Sequence, residues 1–241
     1  MTLWAVVPAA GVGRRMQSAT PKQYLPLADS TVIEQTLDAL LKVSLIEKVV
    51  VSIGPDDGYW RDLSISQNPQ IAEAKGGRER QDSVLNALDS LSESHGAAAD
   101  DWVLIHDAVR PCVAPKDIES LVSTVMRLTA KDTAVGGGLL AAAMDNTVKE
   151  AEALEYNLIP RVIATRNRDL LWQALTPQLF PLGLLRQALR DAADGAAQLT
   201  DESSALERLG YQPLLVEGAK TNIKITHASD LVLAEAILAS R

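Results

Sequence analysis

The chain has 241 residues, a formal net charge of -8 and 47% hydrophobic residues spread along its length. That is enough to bury one large core, so a single domain over residues 1–241 is expected; the acidic balance argues against broad binding to a nucleic acid backbone, which needs a positive surface to displace counterions. The lone cysteine, Cys112, excludes an internal disulfide, and three scattered histidines (His95, His106 and His227) form no zinc cluster, so any metal must be bound by oxygen.

No run approaches transmembrane length, and MTLWAVVPAAG lacks the basic start and cleavage pattern of a signal peptide, so a cytoplasmic protein is expected, with no membrane partner. Residues 3–8 (LWAVVP), 48–53 (KVVVSI) and 102–105 (WVLI) are short Val-rich runs suited to strands buried on both faces. Between them Ile33, Leu37, Leu40 and Leu41 share one helical face behind a Thr31/Glu34 capping box, and Val84, Leu88 and Leu91 repeat the pattern. Strand and helix alternate over roughly the first 130 residues, which predicts an α/β fold: a mostly parallel sheet with helices on both faces and ligands at the carboxyl ends of its strands.

After a helix at 115–128 the order changes. NTVK and RVIATR read as two extended segments around the polar stretch EAEALEYN, which predicts a protruding β-arm at about 140–168. An arm with little core of its own usually finds a partner, hence a homodimer. Helices are expected at 169–175, 182–193, 200–209 and 228–239, with QPLLVEG and NIKIT as extended stretches before the last.

Four groups of residues carry chemistry. The first is the loop after the opening strand, Pro8, Ala9, Ala10, Gly11 and Gly13, followed by Arg14, Arg15 and Lys22. Its G-x-G lacks the third small residue of a dinucleotide fingerprint because Met16 stands there, and no P-loop occurs in the chain. Small side chains admit a phosphate or base to the backbone N–H groups, and two guanidinium groups with an ammonium suit a polyphosphate. Taken singly these cations would be surface residues; together, beside a glycine loop, they favour a site, with Arg15 placed ahead of Arg14.

The second group is AKGGRERQDSV, where Gly76 and Gly77 precede a helix that Ser83 opens and Arg78 and Arg80 flank; it is either an anion or base site or a turn with a cap. The third is HDAVRP. Asp107 ends a central strand, suited to magnesium or another divalent cation, with Arg110 three residues on; a turn or cap role for Asp107 is the alternative, and His106 reads as structural. The fourth is Thr147, Arg168, Thr176, Thr200, Asp201 and Lys224. Thr200 and Asp201 suit a helix start, and Lys224, alternating with two Ile, faces either solvent or the site rim.

Together PAAGVGRRM, PKQYLPL, GGRERQDSV, HDAVRP, NTVK, ALTPQLFP, LTDESSALE and NIKIT resemble, in order and across nearly the whole chain, the 2-C-methyl-D-erythritol 4-phosphate cytidylyltransferases of the non-mevalonate isoprenoid pathway. The resemblance implies a Rossmann-like nucleotidyltransferase fold with an arm that interlocks two subunits. It also implies transfer of CMP from CTP to methylerythritol phosphate with release of pyrophosphate. By position, Pro8, Ala9, Ala10, Gly11, Gly13, Gly77, Arg80 and Ser83 would hold CTP together with Arg15 and Lys22, which would stabilise the transition state. Asp107 would hold magnesium and, with Arg110, Thr147, Arg168, Thr176 and Lys224, the second substrate, Arg168 reaching across the dimer. Asn146, Arg78 and Thr221 depart from the acidic residues the family carries there. The rival readings are a cytidylyltransferase for ribitol 5-phosphate, a non-catalytic nucleotide-binding module, and a dehydrogenase, which the missing third glycine disfavours.

Overall fold

A computed structural model describes residues 1–11, 20–152, 159–195 and 199–241. β1 (Leu3–Pro8) is an interior strand of the central sheet and pairs in parallel with β4 (Ile46–Ile53) on one side and β6 (Trp102–Ile105) on the other. Its period-2 alternation sets up both layers of core: Leu3, Ala5 and Val7 enter one cluster, Trp4 and Val6 the other. Against the first face packs α1 (Val32–Leu41), whose buried Ile33, Leu37 and Leu40 follow from the predicted stripe and whose Thr31/Glu34 capping box is formed. α3 (Pro115–Thr129) covers the same face through Ile118, Leu121 and Val125. The opposite face is covered by α2 (Arg80–Ser94) through Val84, Leu88 and Leu91, and by α4 (Leu182–Asp194) and α5 (Glu202–Arg208). Each such fully buried Leu contributes on the order of 1.5–3 kcal/mol.

Among the described residues seven strands make the sheet, in the order β11 (Leu214–Glu217), β7 (Gly138–Ala143), β10 (Trp172–Pro181), β6, β1, β4 and β5 (Ile71–Lys75). All neighbours run parallel except β10, which is antiparallel to both β6 and β7. A short hairpin, β2 (Pro26–Leu27) with β3 (Ser30–Thr31), leads into α1. The arm's extended segments are β8 (Val148–Ala151) and β9 (Val162–Arg166), an antiparallel pair outside the main sheet. α6 (Ala228–Ala239) closes the chain, in a small third cluster with Leu27, Val32, Val109, Cys112 and Ile225.

Four expectations are corrected. Residues 169–175 are no helix: a single 3-10 turn at Arg168–Leu170 passes directly into β10. The apolar spacing of Leu170, Leu171, Ala174 and Leu175 mimics a helical stripe, but Pro177 cannot continue one, and the slot between β6 and β7 buries a strand on both faces. NIKIT is not a strand; residues 222–226 form an irregular segment laid along the loop after β6, joined there by Ile225 N–H donating to the Val109 carbonyl at 2.9 Å. The arm is shorter than expected at its first end, because residues up to Ala143 belong to β7 in the central sheet. Ser83 does not open its helix, which begins at Arg80 behind a Glu79/Asp82 capping box. The edge strand β5 carries no long apolar run and gave no signal of its own.

Candidate active site

The carboxyl ends of β1, β4, β5 and β6 meet the loops that follow them, and a cleft of about 300 Å³ opens there. Pro8, Ala9, Ala10 and Gly11 form one wall; Gly77, Arg78, Glu79, Arg80 and Ser83 form another; Lys22, Gln23, Asp107, Ala108, Val109 and Lys224 complete it. Two loops can approach this closely because of Gly76: a Cβ there would lie 2.4 Å from Ala10 Cβ and 2.9 Å from the Ile53 carbonyl oxygen. Gly77 is equally constrained, since its Cβ would lie 2.2 Å from Asp82 Cβ. Its N–H donates to Ser83 Oγ at 2.9 Å, and that hydroxyl donates to the Glu79 carbonyl at 3.1 Å, so Ser83 braces the loop from within the first turns of α2.

Gln23, which the sequence reading passed over, holds the opposite loop. Its buried amide donates to the carbonyls of Ala9 at 2.8 Å and Gly11 at 3.0 Å. A polar residue inside the turn KQY is the only sequence sign of that clamp. Lys22 beside it lines the cleft and donates to the Ile225 carbonyl at 3.1 Å. Gly13, Arg15 and Arg14 lie outside the described residues, as does Met16.

Asp107 is the electrostatic centre. Its Oδ1 accepts from Arg80 Nε at 3.2 Å and a second Arg80 nitrogen at 3.1 Å; its Oδ2 accepts from Lys224 Nζ at 2.9 Å and Arg110 Nε at 3.4 Å. Burial alone would raise this carboxyl, but Arg80, Lys224 and Arg110 together hold it far below the usual carboxylate range. Burial likewise works against the Arg80 charge, and the carboxylates of Glu202 and Asp107 outweigh it and hold the guanidinium above its ordinary range. Lys224 thus belongs to the site rim, one of the two places its alternation allowed. Arg110 is buried behind the cleft and ties Asp107 to the 222–226 segment, donating to the Asn222 carbonyl at 2.7 Å.

His106 is fully buried and structural. Burial pulls its imidazole down to about 4, so the ring is neutral. Nε2 meets the Arg110 carbonyl at 3.2 Å, which accepts only, so Nε2 carries the proton and Nδ1 is the acceptor. Thr176 Oγ1, 2.9 Å from Nδ1, must therefore donate to it, and the same oxygen accepts from the Asp107 backbone N–H at 3.1 Å. Thr176 reaches this position because β10 shifts register between Ala174 and Gln178, an irregularity of the kind that re-aims side chains beside sites. Its hydroxyl is engaged within the protein and does not line the cleft. Thr147 and Arg168 are exposed on or beside the arm and are not among the residues that line this cleft, and Arg168 donates to the Asp145 carbonyl. Thr200 precedes the helix whose cap is Asp201, the role expected of that pair.

The donor set fits a hard divalent cation in one respect: an ionised carboxylate faces the cleft, and nucleotide phosphates would supply most other ligands. Among the described residues no cluster of three His, Cys, Asp or Glu side chains exists to hold a metal without them.

The family model for 2-C-methyl-D-erythritol 4-phosphate cytidylyltransferase (IspD) matches residues 3–240. The chain belongs to that family. It is 48% identical over 228 residues to the 2-C-methyl-D-erythritol 4-phosphate cytidylyltransferase of Pseudomonas entomophila, covering 95% of this chain and 92% of that one. With the enzyme of the same name from Vibrio vulnificus strain YJ016 identity is 46% over 234 residues, covering 97% and 93%. In three dimensions the fold superposes on a crystal structure described as 4-diphosphocytidyl-2C-methyl-D-erythritol synthase with a TM-score of 0.81 at 34% identity, covering 99% of this chain and all (100%) of that one. The Francisella tularensis cytidylyltransferase (IspD) gives 0.80 at 35% identity, covering 98% and 100%. Family membership agrees with the mostly parallel α/β sheet read from the alternation of strand and helix, and with the nucleotidyltransferase fold that the resemblance implies. No described helix is long and apolar enough to cross a membrane.

Proposed function

We propose that this cytidylyltransferase moves CMP from CTP to 2-C-methyl-D-erythritol 4-phosphate. A phosphate oxygen of the acceptor attacks the α-phosphorus, the bond to the bridging oxygen breaks, and pyrophosphate leaves with that electron pair. The attacking phosphate is already anionic at neutral pH, so no general base is required, which agrees with a buried, neutral His106. The reading is carried by one observation: two small-residue loops, Lys22, Arg80, Lys224 and Asp107 line the same cleft.

In this reading Pro8–Gly11, Gly13, Gly77, Arg80 and Ser83 hold CTP, and Lys22 with Arg15 meets the charge that develops on the transferring phosphorus. Asp107 would hold magnesium or another divalent cation, which when bound neutralises phosphate charge. Lys224 is the cation best placed to pass from Asp107 to an incoming phosphate, being 40% exposed on a flexible stem. The second substrate would be bound by Lys224 and Asp107, with Arg110 and Thr176 fixing that carboxylate from behind. Exposed Val162, Ile163, Leu170 and Trp172 on or next to the arm suit a homodimer that brings Thr147 and Arg168 to the partner's cleft. A cytoplasmic location suits these soluble substrates.

The test is pyrophosphate release from CTP with magnesium, offering methylerythritol phosphate or ribitol 5-phosphate. Release with the first alone, reduced about a hundredfold or more in Lys22→Ala, is expected. Release with ribitol 5-phosphate instead would keep the chemistry and overturn the acceptor; CTP binding without release would favour a binding module.

A further inference from the structure

Glu202 sits beside the cleft with no part in the reaction as proposed above. It is 1% exposed, and its Oε1 accepts from Arg80 while its Oε2 is buried with no hydrogen-bond partner among the described residues. A buried carboxylate oxygen left unpaired is rare and calls for an explanation. The other edge of the same guanidinium, Nε and its second terminal nitrogen, is on Asp107 Oδ1. Arg80 is thus shared between two carboxylates, one lining the cleft and one behind it.

Glu202 is also held rigidly. Gln178 on β10 grips the residues on both sides of it, its Nε2 donating to Asp201 Oδ2 at 2.9 Å and its Oε1 accepting from Ser203 N–H at 2.9 Å. Gln178 itself is 1% exposed. Asp107 has competing partners in Lys224 and Arg110, whereas Arg80 is the cation on Glu202.

We propose that Glu202 is a positioning residue that tethers Arg80: when the phosphates of a nucleotide draw the guanidinium off Asp107, both Glu202 oxygens take it as a fork and keep it at the cleft wall. The free Oε2 is the acceptor held ready for that second state. Without the tether Arg80 would follow the strongest anion and bind substrate and product phosphates alike, and such uniform binding does not raise turnover. Glu202 therefore trades nucleotide affinity for rate. This rests on the reading of the cleft as a nucleoside triphosphate site.

The experiment uses the full chain with Glu202→Gln, Arg80→Gln and the double substitution. CTP affinity is measured by calorimetry in EDTA, and kcat and KM by pyrophosphate release with magnesium. Glu202→Gln is expected to lower kcat about tenfold or more with the KM for CTP unchanged or lower, and to tighten metal-free CTP binding by up to about tenfold, since the released Arg80 follows the phosphates. On the Arg80→Gln background it should cost nothing further, because Glu202 acts only through Arg80. Parallel loss of kcat, affinity and thermal stability that adds to the Arg80→Gln effect would mean a merely structural carboxylate and overturn the proposal, as would wild-type values throughout. If Glu202→Gln does not fold, Glu202→Asp, one methylene short of reach, carries the same kcat against KM test. Absence of release from the unaltered chain would instead refute the proposed reaction, and the metal-free CTP titrations would still decide the tether.

Discussion

Thr176→Val isolates what holds Asp107 in place. Valine matches threonine in shape, so no cavity opens, but the hydroxyl that serves two buried partners is lost. The Asp107 N–H and His106 Nδ1 would both be left without a partner in a region where Asp107 is 6% and His106 0% exposed. Each unsatisfied buried group costs about 1–3 kcal/mol, so the variant should lose about 2–6 kcal/mol, a large part of the roughly 5–15 kcal/mol that holds such a domain together. Urea unfolding followed by circular dichroism, with an unchanged denaturant slope, reads this directly. In the folded variant kcat should fall about tenfold or more, since the loop that carries Asp107 is no longer fixed. Thr176→Ser keeps the hydroxyl and should lose only about 1 kcal/mol for one methyl group. A Val variant within about 1 kcal/mol of the parent, with kcat intact, would refute the claim that this hydroxyl positions the carboxylate.

Three further outcomes are expected. Gly76→Ala must push Ala10 or the Ile53 carbonyl aside, because both lie inside 3 Å of the added carbon, and it should destabilise by about 1–3 kcal/mol while weakening CTP binding in a calorimetric titration; unchanged affinity would count against close approach of the two loops. Burial pushes the Cys112 thiol up to about 11, so at pH 8 the native protein should react with a thiol reagent far more slowly than the urea-unfolded chain. The sign also fixes a stability trend: the native thiol keeps its proton where the unfolded one loses it, so acidity favours the fold and stability falls between about pH 9 and 11, a slope that Cys112→Ala should remove.

Local signals reached most of the fold because each is decided by a few neighbouring residues. The capping box at Thr31 and Glu34, the stripe Val84, Leu88 and Leu91, and the apolar run of β6 all stand as read. Failures arise where a distant partner decides. β10 carries a helix-like spacing at its start and becomes a strand because β6 and β7 leave a slot between them. NIKIT has strand-like alternation but pairs with no strand among the described residues, so it keeps the alternation and loses the ladder: Ile225 is buried while Lys224 turns to Asp107. Among the candidate site residues, Lys22, Arg80, Lys224 and the small residues Pro8 to Gly11 and Gly77 were singled out in the sequence and line one cleft, since an anion site calls for such types near each other. Gln23, Gln178 and Glu202 were not, because each matters only through a contact made across the fold or within a loop whose path the sequence does not reveal.

The reversed strand explains why those contacts converge. β10 runs antiparallel beside β6, so its register shift sets Thr176 against the end of β6, where His106 and Asp107 begin the loop. Two residues further on, Gln178 pairs with Ile105 in the sheet and grips the start of α5 with its side chain. A parallel strand in that slot would carry its following loop to the carboxyl end of the sheet and leave no reason for residue 178 to meet residues 201–203 there. The antiparallel insertion therefore supplies both braces of the charge cluster, one through Thr176 to Asp107 and one through Gln178 to Glu202 and Arg80. Cutting one brace should leave the other, so Thr176→Val and Glu202→Gln should differ in kind: the first loosens the carboxylate and the fold, the second frees the guanidinium and spares the fold.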